Sequence, residues 1–266
     1  MFLHRLSVGM RKGDNVNGVY ELKKYLSYLG YLNDNRHSND QNQEHKNIFD
    51  DSLEIALRRY QEFYGLKTTG FLDASTITNM LQPRCGVPDL FTNPNKNPPF
   101  HTISHYSLLP GNPKWYWKNL SYSFDRNVNR AARVPLQRAF KEWESVTPFK
   151  FYYIKNISLA DIQISFERGD HGDGYPFRGT IDVVAHTFPP PDGSTLTCTK
   201  IGLWPGNIIN GNTIDLQTVA LHELGHALGL DHSMIFKAVM FPTIYRGERK
   251  GIHKDDIDGI KKLYNL

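Results

Sequence analysis

Residues 222–232 read HELGHALGLDH. His222 and His226 are four residues apart, so on a helix they leave the same face about one turn from each other. Gly229, three residues further on, can take the left-handed conformation that ends a helix and turns the chain back. That reversal lets His232 return to the same point. Three imidazoles suit a tetrahedral Zn²⁺ whose fourth position is left to water. Glu223, beside the first histidine, is the natural general base: zinc lowers the pKa of its water toward about 7, and a carboxylate within reach takes the proton. The chemistry within reach of these residues is metal-assisted attack on a carbonyl carbon. The competing reading, a helix with ordinary surface histidines, rarely produces this five-residue pattern.

Such side chains need a helix beneath them and a core around it. Residues 215–228 read as that helix, and 255–264 as another. A third runs from 134 to 146, with Pro135 at its start and Leu136, Phe140 and Trp143 on one face. Residues 120–124, 149–154, 162–166 and 181–186 read as strands. The second half is thus a sheet with helices around it. Earlier in the chain, 17–32 carries Val19, Leu22, Leu26 and Leu29 at helical spacing, with Gly30 to end it. Residues 50–64 follow, with Asp50 or Asp51 as N-cap, and then 73–81. Residues 33–47 are polar and aperiodic, a loop. Residues 86–114 are rich in proline, an exposed linker of the kind where proteolytic nicking concentrates. The division implied is a small helical domain at 1–99 and a larger one at 100–266.

The totals fit this picture. The chain has 266 residues, 39% hydrophobic and 22% charged, enough for a sizeable core and unlike a disordered composition. The net charge of +4 is scattered, with no basic block interleaved with aromatics, so nucleic acid is not an expected partner. No apolar run approaches the roughly 18 residues of a membrane helix. The two cysteines, Cys85 and Cys198, allow one bridge or two separate thiols, not a disulfide framework.

Two further segments, Met240 in AVMFPTIY eight residues after His232 and PRCGVPD at 83–89, carry a family resemblance. With HELGHALGLDH they resemble the metzincin zinc proteases, specifically the matrixin branch, the matrix metalloproteinases of plant type. GLKTTGFLDASTITNM, WYWKNLSYSF, AFKEWESVTPFKF and DDIDGIKKLYNL extend the resemblance over nearly the whole chain. It implies an α+β architecture: a three-helix prodomain, then a catalytic domain with a twisted, mostly parallel five-stranded sheet and three helices, and no C-terminal propeller domain. It implies that His222, His226 and His232 hold the catalytic zinc, that Glu223 is the base, and that Met240 lies beneath the site. Cys85 would occupy the fourth zinc position as a thiolate and keep the precursor latent until the prodomain is removed, by another protease or by autocleavage. As a soft ligand sulfur outcompetes water. Val184 and Ala185 would lie on the strand that pairs with an extended peptide, and Pro242, Thr243, Ile244 and Tyr245 would wall the pocket beyond the scissile bond. The substrate implied is a polypeptide, the enzyme a monomer outside the cell. Asp255 and Asp256 sit where the family pairs a carboxylate with the new N-terminus; as plain sequence they read equally as a helix N-cap.

The chain departs from the pattern in one region. HGDGYPFRG supplies His171 and Asp173, and His186 follows, so three of four ligands of a second, structural zinc are present. The fourth should lie after Gly193, yet 193–214 contains no His, Asp or Glu. Leu196 or Thr197 stands in its place, with Cys198 adjacent as a soft substitute if the strand shifts. The acidic calcium ligands of that segment are missing too, Arg178 replaces another, and Asp161 alone matches a further calcium site, so the chemistry argues against Ca²⁺. This erosion motivates a rival reading, a catalytically weak zinc-binding protein that acts by holding peptides. A third takes the helical module as a binder of wall polymers. Asn119-Leu-Ser and Asn156-Ile-Ser are glycosylation sequons, which favours secretion, whereas His4 and Arg5 interrupt any signal-peptide core at the start.

Overall fold

The computed structural model describes residues 5–33, 46–90, 106–177, 183–190, 194–199, 203–204, 206 and 211–266. Most of the polar loop expected at 33–47, the middle of the proline-rich linker, Arg178 and the start of the strand expected at 181–186 lie outside these. The described residues form two units, one of 5–33, 46–82 and 87–90, the other of 83–86, 106–177 and the residues from 183 onward.

The first unit holds α1 (Val19–Tyr28), α2 (Asp51–Phe63) and α3 (Ala74–Met80). Asp50 and Asp73 cap the second and third helices, each carboxylate accepting a backbone N–H at 2.8 Å, from Leu53 and Thr76. Val19, Leu22, Leu26 and Leu29 are buried with Leu53, Leu57 and Tyr60, so the apolar stripes read from the sequence do form one core. α1 starts after Gly18 and ends ahead of Gly30, the glycine expected to stop it, and both glycines have left-handed backbone. At Gly30 a side chain would collide with the Leu90 carbonyl, 1.8 Å from its Cβ. Asp89 of the 83–89 motif accepts hydroxyls from Tyr31 at 2.9 Å and Tyr64 at 3.0 Å.

The second unit is built on a sheet of β1 (Arg84–Cys85), β2 (Asn119–Phe124), β3 (Lys150–Tyr153), β4 (Ile162–Glu167), β5 (Val183–Thr187) and β6 (Ser194–Thr199), in the order β1-β5-β6-β4-β2-β3. Only β5 and β6 run antiparallel. The five strands expected of a catalytic domain are β2–β6, and the two residues of β1 add a sixth at the edge. A short parallel pair, β7 (Leu203–Trp204) and β8 (Ile214–Asp215), stands apart. Asp161 fastens β2 to the start of β4, accepting from the Ser121 N–H at 2.7 Å and hydroxyl at 2.6 Å.

Three helices, α4 (Arg130–Val146), α5 (Leu216–Ala227) and α6 (Lys254–Tyr264), complete the unit. α4 begins earlier than the proline suggested. Asn129 caps it through a 2.9 Å bond from the Ala132 N–H, which leaves Pro135 inside the helix rather than at its start. The missing proline N–H costs one backbone bond, and the buried face of Leu136, Phe140 and Trp143 sustains the helix across it. α6 is capped by His253 in a reciprocal box with Asp256, so neither aspartate is itself the N-cap. α5 is buried along its whole length. Trp143 and Trp115 donate their indole N–H groups to its Leu221 and Ala227 carbonyls, at 3.0 and 2.7 Å.

Candidate metal centre and cleft

α5 carries the first two histidines. Its N-cap, Asp215, is fully buried, accepts from the Thr218 N–H at 2.9 Å, and is gripped by Arg249 through bonds of 2.6 and 3.1 Å. His222 and His226 project one turn apart, with ring centroids 4.8 Å from each other. Gly229 then reverses the chain at φ 97°, where a Cβ would lie 2.2 Å from the Pro113 carbonyl oxygen. The reversal brings the His232 ring to 5.2 Å from His222 and 4.9 Å from His226. The Cys85 sulfur lies 3.5 Å from His226 Nε2. One donor atom from each of these four buried residues falls within 4.8 Å of every other.

The tautomers show what the cluster is for. His222 Nδ1–H donates to the Val239 carbonyl at 2.7 Å, and His226 Nδ1–H to the Leu230 carbonyl at 2.9 Å. Burial, with the neighbouring imidazoles, holds both far below the usual histidine pKa, so both rings are neutral. Each Nε2 is therefore a bare lone pair, yet the two stand 3.1 Å apart. Two acceptors repel at that distance unless they share an electrophile. The donor set of three imidazole nitrogens and a thiol fits zinc.

Met240, which the resemblance puts at the floor of this site, is buried against α5 beside the second histidine. A Cβ on Gly225 would sit 2.2 Å from its sulfur, so Gly225 makes room for it within the helix. Gly225→Ala is expected to cost about 1–2 kcal/mol net, overpacking outweighing the better helix propensity of alanine; urea unfolding of the full chain measures it. Asp256 holds the floor in place. Its carboxylate accepts the backbone N–H groups of Val239 at 3.0 Å, Met240 at 3.1 Å and His253 at 2.7 Å. Burial raises its pKa, against those three bonds. Asp256→Ala orphans two buried donors and a half-buried one and is expected to cost about 3 kcal/mol, with loss of bound metal. Metal analysis beside the same unfolding experiment tests both parts. Asp255 accepts from the Ser233 hydroxyl at 2.7 Å.

Glu223 is fully buried, and burial pushes its carboxyl up to about 7, opposed by the Thr187 hydroxyl and the Cys85 thiol. Thr187 was not singled out by its sequence. It donates to Glu223 Oε2 at 2.7 Å.

The expected cleft walls line a backbone slot. Cys85 N–H donates to the Pro242 carbonyl at 3.0 Å and Gly86 N–H to Ala185 at 2.8 Å, while Ile244 N–H donates to Pro83 at 2.8 Å. Arg84 bridges Thr243 antiparallel, and β1 pairs with β5 parallel. Residues 83–86 thus lie as an extended strand between two main-chain edges. Val184 and Ile244 turn their side chains into the core, and Tyr245 packs on Phe236 with centroids 5.4 Å apart.

The second cluster also assembles. His171 and His186 each bring Nε2 to Asp173 Oδ2, at 2.8 and 2.7 Å, and the two nitrogens lie 3.5 Å apart. Phe177 stacks on His171. Register decides the fourth place: His186 faces Thr197 on β6, and Cys198 faces Ala185. Cys198 therefore belongs to the opposite face, in the core, where burial pushes its thiol pKa well up. Neither cysteine is in a disulfide. Leu196 is likewise a core residue, so Thr197 stands where a fourth donor would.

Comparisons with known proteins agree with this geometry. Residues 114–265 match the family profile of the peptidases described as Matrixin, and residues 15–80 match one described as "Putative peptidoglycan binding domain". The chain is 38% identical to Metalloendoproteinase 1-MMP of Arabidopsis thaliana, over 97% of its own length and 71% of that protein's. It is 35% identical to Metalloendoproteinase 1 of Glycine max, over 96% and 84%. Against Interstitial collagenase of Oryctolagus cuniculus the identity is 38%, over 78% of this chain and 42% of the relative. A helical module, a mostly parallel sheet, and a histidine cluster fit for zinc beside a buried glutamate are thus joined to near full-length likeness, and the chain belongs to the matrixin family of zinc metalloendopeptidases.

Proposed function

We propose that the chain is a latent, secreted endopeptidase that cuts extended polypeptides once the prodomain at 1–99 is removed from the catalytic domain at 100–266. The observation that carries this reading is the slot holding residues 83–86. Its two edges bind through main-chain groups, which accept any extended backbone, and the Cys85 sulfur sits at the histidine cluster. A segment that fills the slot and adds a fourth soft donor blocks peptide and water together.

His222, His226 and His232 would hold zinc, with Cys85 as fourth ligand in the latent form. Bound there, zinc supplies a Lewis acid that acidifies water and polarises a peptide carbonyl. The edges at Ala185 and at 242–244 align the substrate backbone across the histidines. Glu223 takes the proton from the attacking water on its carboxylate and passes it to the departing amide nitrogen. Met240 and Asp256 keep the cluster in register, and the backbone at 242–244 with the Tyr245 side chain would wall the pocket beyond the cut. A quenched peptide substrate, offered to the full chain before and after its thiol is blocked with a mercurial, tests the reading; silence in both states overturns it.

His171, Asp173 and His186 would hold a second zinc with Thr197 or water completing the shell. Metal analysis should then find two zinc ions per chain, and one in His186→Ala. A peptide binder without hydrolysis is not favoured, since Glu223 is intact and the matched relatives are metalloendoproteinases.

A further inference from the structure

β5 divides its side chains between two sites. His186 faces His171 and Asp173, and the next residue, Thr187, turns to the other side of the sheet. There its hydroxyl donates to Glu223 Oε2 at 2.7 Å. The contact is shielded: Thr187 is 6% exposed, Glu223 is 0%, and the residue opposite Thr187 on β6 is the core Leu196. A β-branched side chain in a strand has few rotamers, so the backbone of β5 aims the hydroxyl. A glutamate on a helix has three rotatable bonds and no such constraint of its own. With Oε2 held, Oε1 is the oxygen left to receive a proton.

We propose that Thr187 is a positioning residue for the general base: its hydroxyl fixes the Glu223 carboxylate for proton transfer and ties it to the strand that carries His186. The inference rests on the endopeptidase reading, and goes beyond it by giving the base a partner outside the metal-binding motif. If Thr187 only filled space, valine, of nearly equal shape, would replace it without kinetic cost.

Full-length Thr187→Val and Thr187→Ser, with the thiol blocked, decide between these by steady-state cleavage of a quenched peptide. Valine should lower kcat about tenfold with KM nearly unchanged, the usual scale for losing an orienting bond behind a catalytic group. Serine should restore most of kcat. Wild-type kcat in the valine variant overturns the proposal, as does a loss confined to KM or an equal loss in both variants. Contact is tested without activity by a double-mutant cycle in urea with Thr187→Val and Glu223→Gln. Non-additive midpoints are expected, and additive ones overturn the proposal. Should wild type cut no faster than Glu223→Ala, the endopeptidase reading fails and this inference falls with it.

Discussion

Replacing Glu223 by alanine is expected to slow peptide hydrolysis about 10³-fold while leaving metal content and fold intact, the middle of the range for a general acid–base. Its environment explains both halves of that expectation. The carboxylate lies in the same buried helix as His222 and His226 but donates no ligand atom to their cluster. Burial raises it to about 7, a value from which a proton is readily taken up and given back. Alanine removes the proton carrier and leaves the buried Thr187 hydroxyl without its acceptor, so a modest loss of stability, on the order of 1–3 kcal/mol, is expected without loss of the fold. Cleavage rates of the thiol-blocked full chain, with zinc measured on the same samples, test the claim. A variant that retains more than about a tenth of wild-type kcat would move the base elsewhere.

The second large effect is expected at Cys85. Blocking its thiol in the full chain should raise peptide cleavage about 100-fold or more. A tethered ligand acts at an effective concentration of about millimolar or above, so it excludes substrates present at micromolar levels. Cys85→Ala should give a smaller rise. It removes the sulfur but not the backbone bonds of 83–86 to Ala185, Pro242 and Ile244, which would still obstruct the slot. The ordering of wild type, Cys85→Ala and thiol-blocked protein therefore separates the contribution of the sulfur from that of the strand. Equal activity in all three would remove the latency proposal.

The parts of this arrangement that were legible in the sequence are those fixed by local geometry. The i, i+4 spacing of His222 and His226 and the reversal at Gly229 follow from helix dimensions, and both hold. The apolar faces of α1, α2 and α4 follow from periodicity. The parts that were not legible depend on partners far along the chain. Thr187 lies one residue past the strand read at 181–186; that it ends β5 and meets Glu223 depends on how β5 packs on α5. β1 is two residues long and gains its meaning from pairing with Val183 and Ala185. α4 starts earlier than Pro135 suggests, because the proline is the stronger local signal and Asn129 the weaker, yet the cap decides. That 193–214 holds no His, Asp or Glu is visible in the sequence, but which of Leu196, Thr197 and Cys198 faces His186 is a question of register, which only strand pairing answers.

The grip of Asp256 on the backbone of Val239, Met240 and His253 has a consequence for how the molecule opens. Those amides are spokes of one buried carboxylate, so losing the carboxylate's position releases them together. The catalytic floor and the first turn of α6 then belong to one cooperative unit, and their amide hydrogens should exchange with solvent together, through a single opening event. Fraying from the C-terminal end would be felt beneath the histidines before it was felt in the sheet. A chain cut short before His253 would lose its chemistry by losing the ground under it, with every catalytic side chain still present.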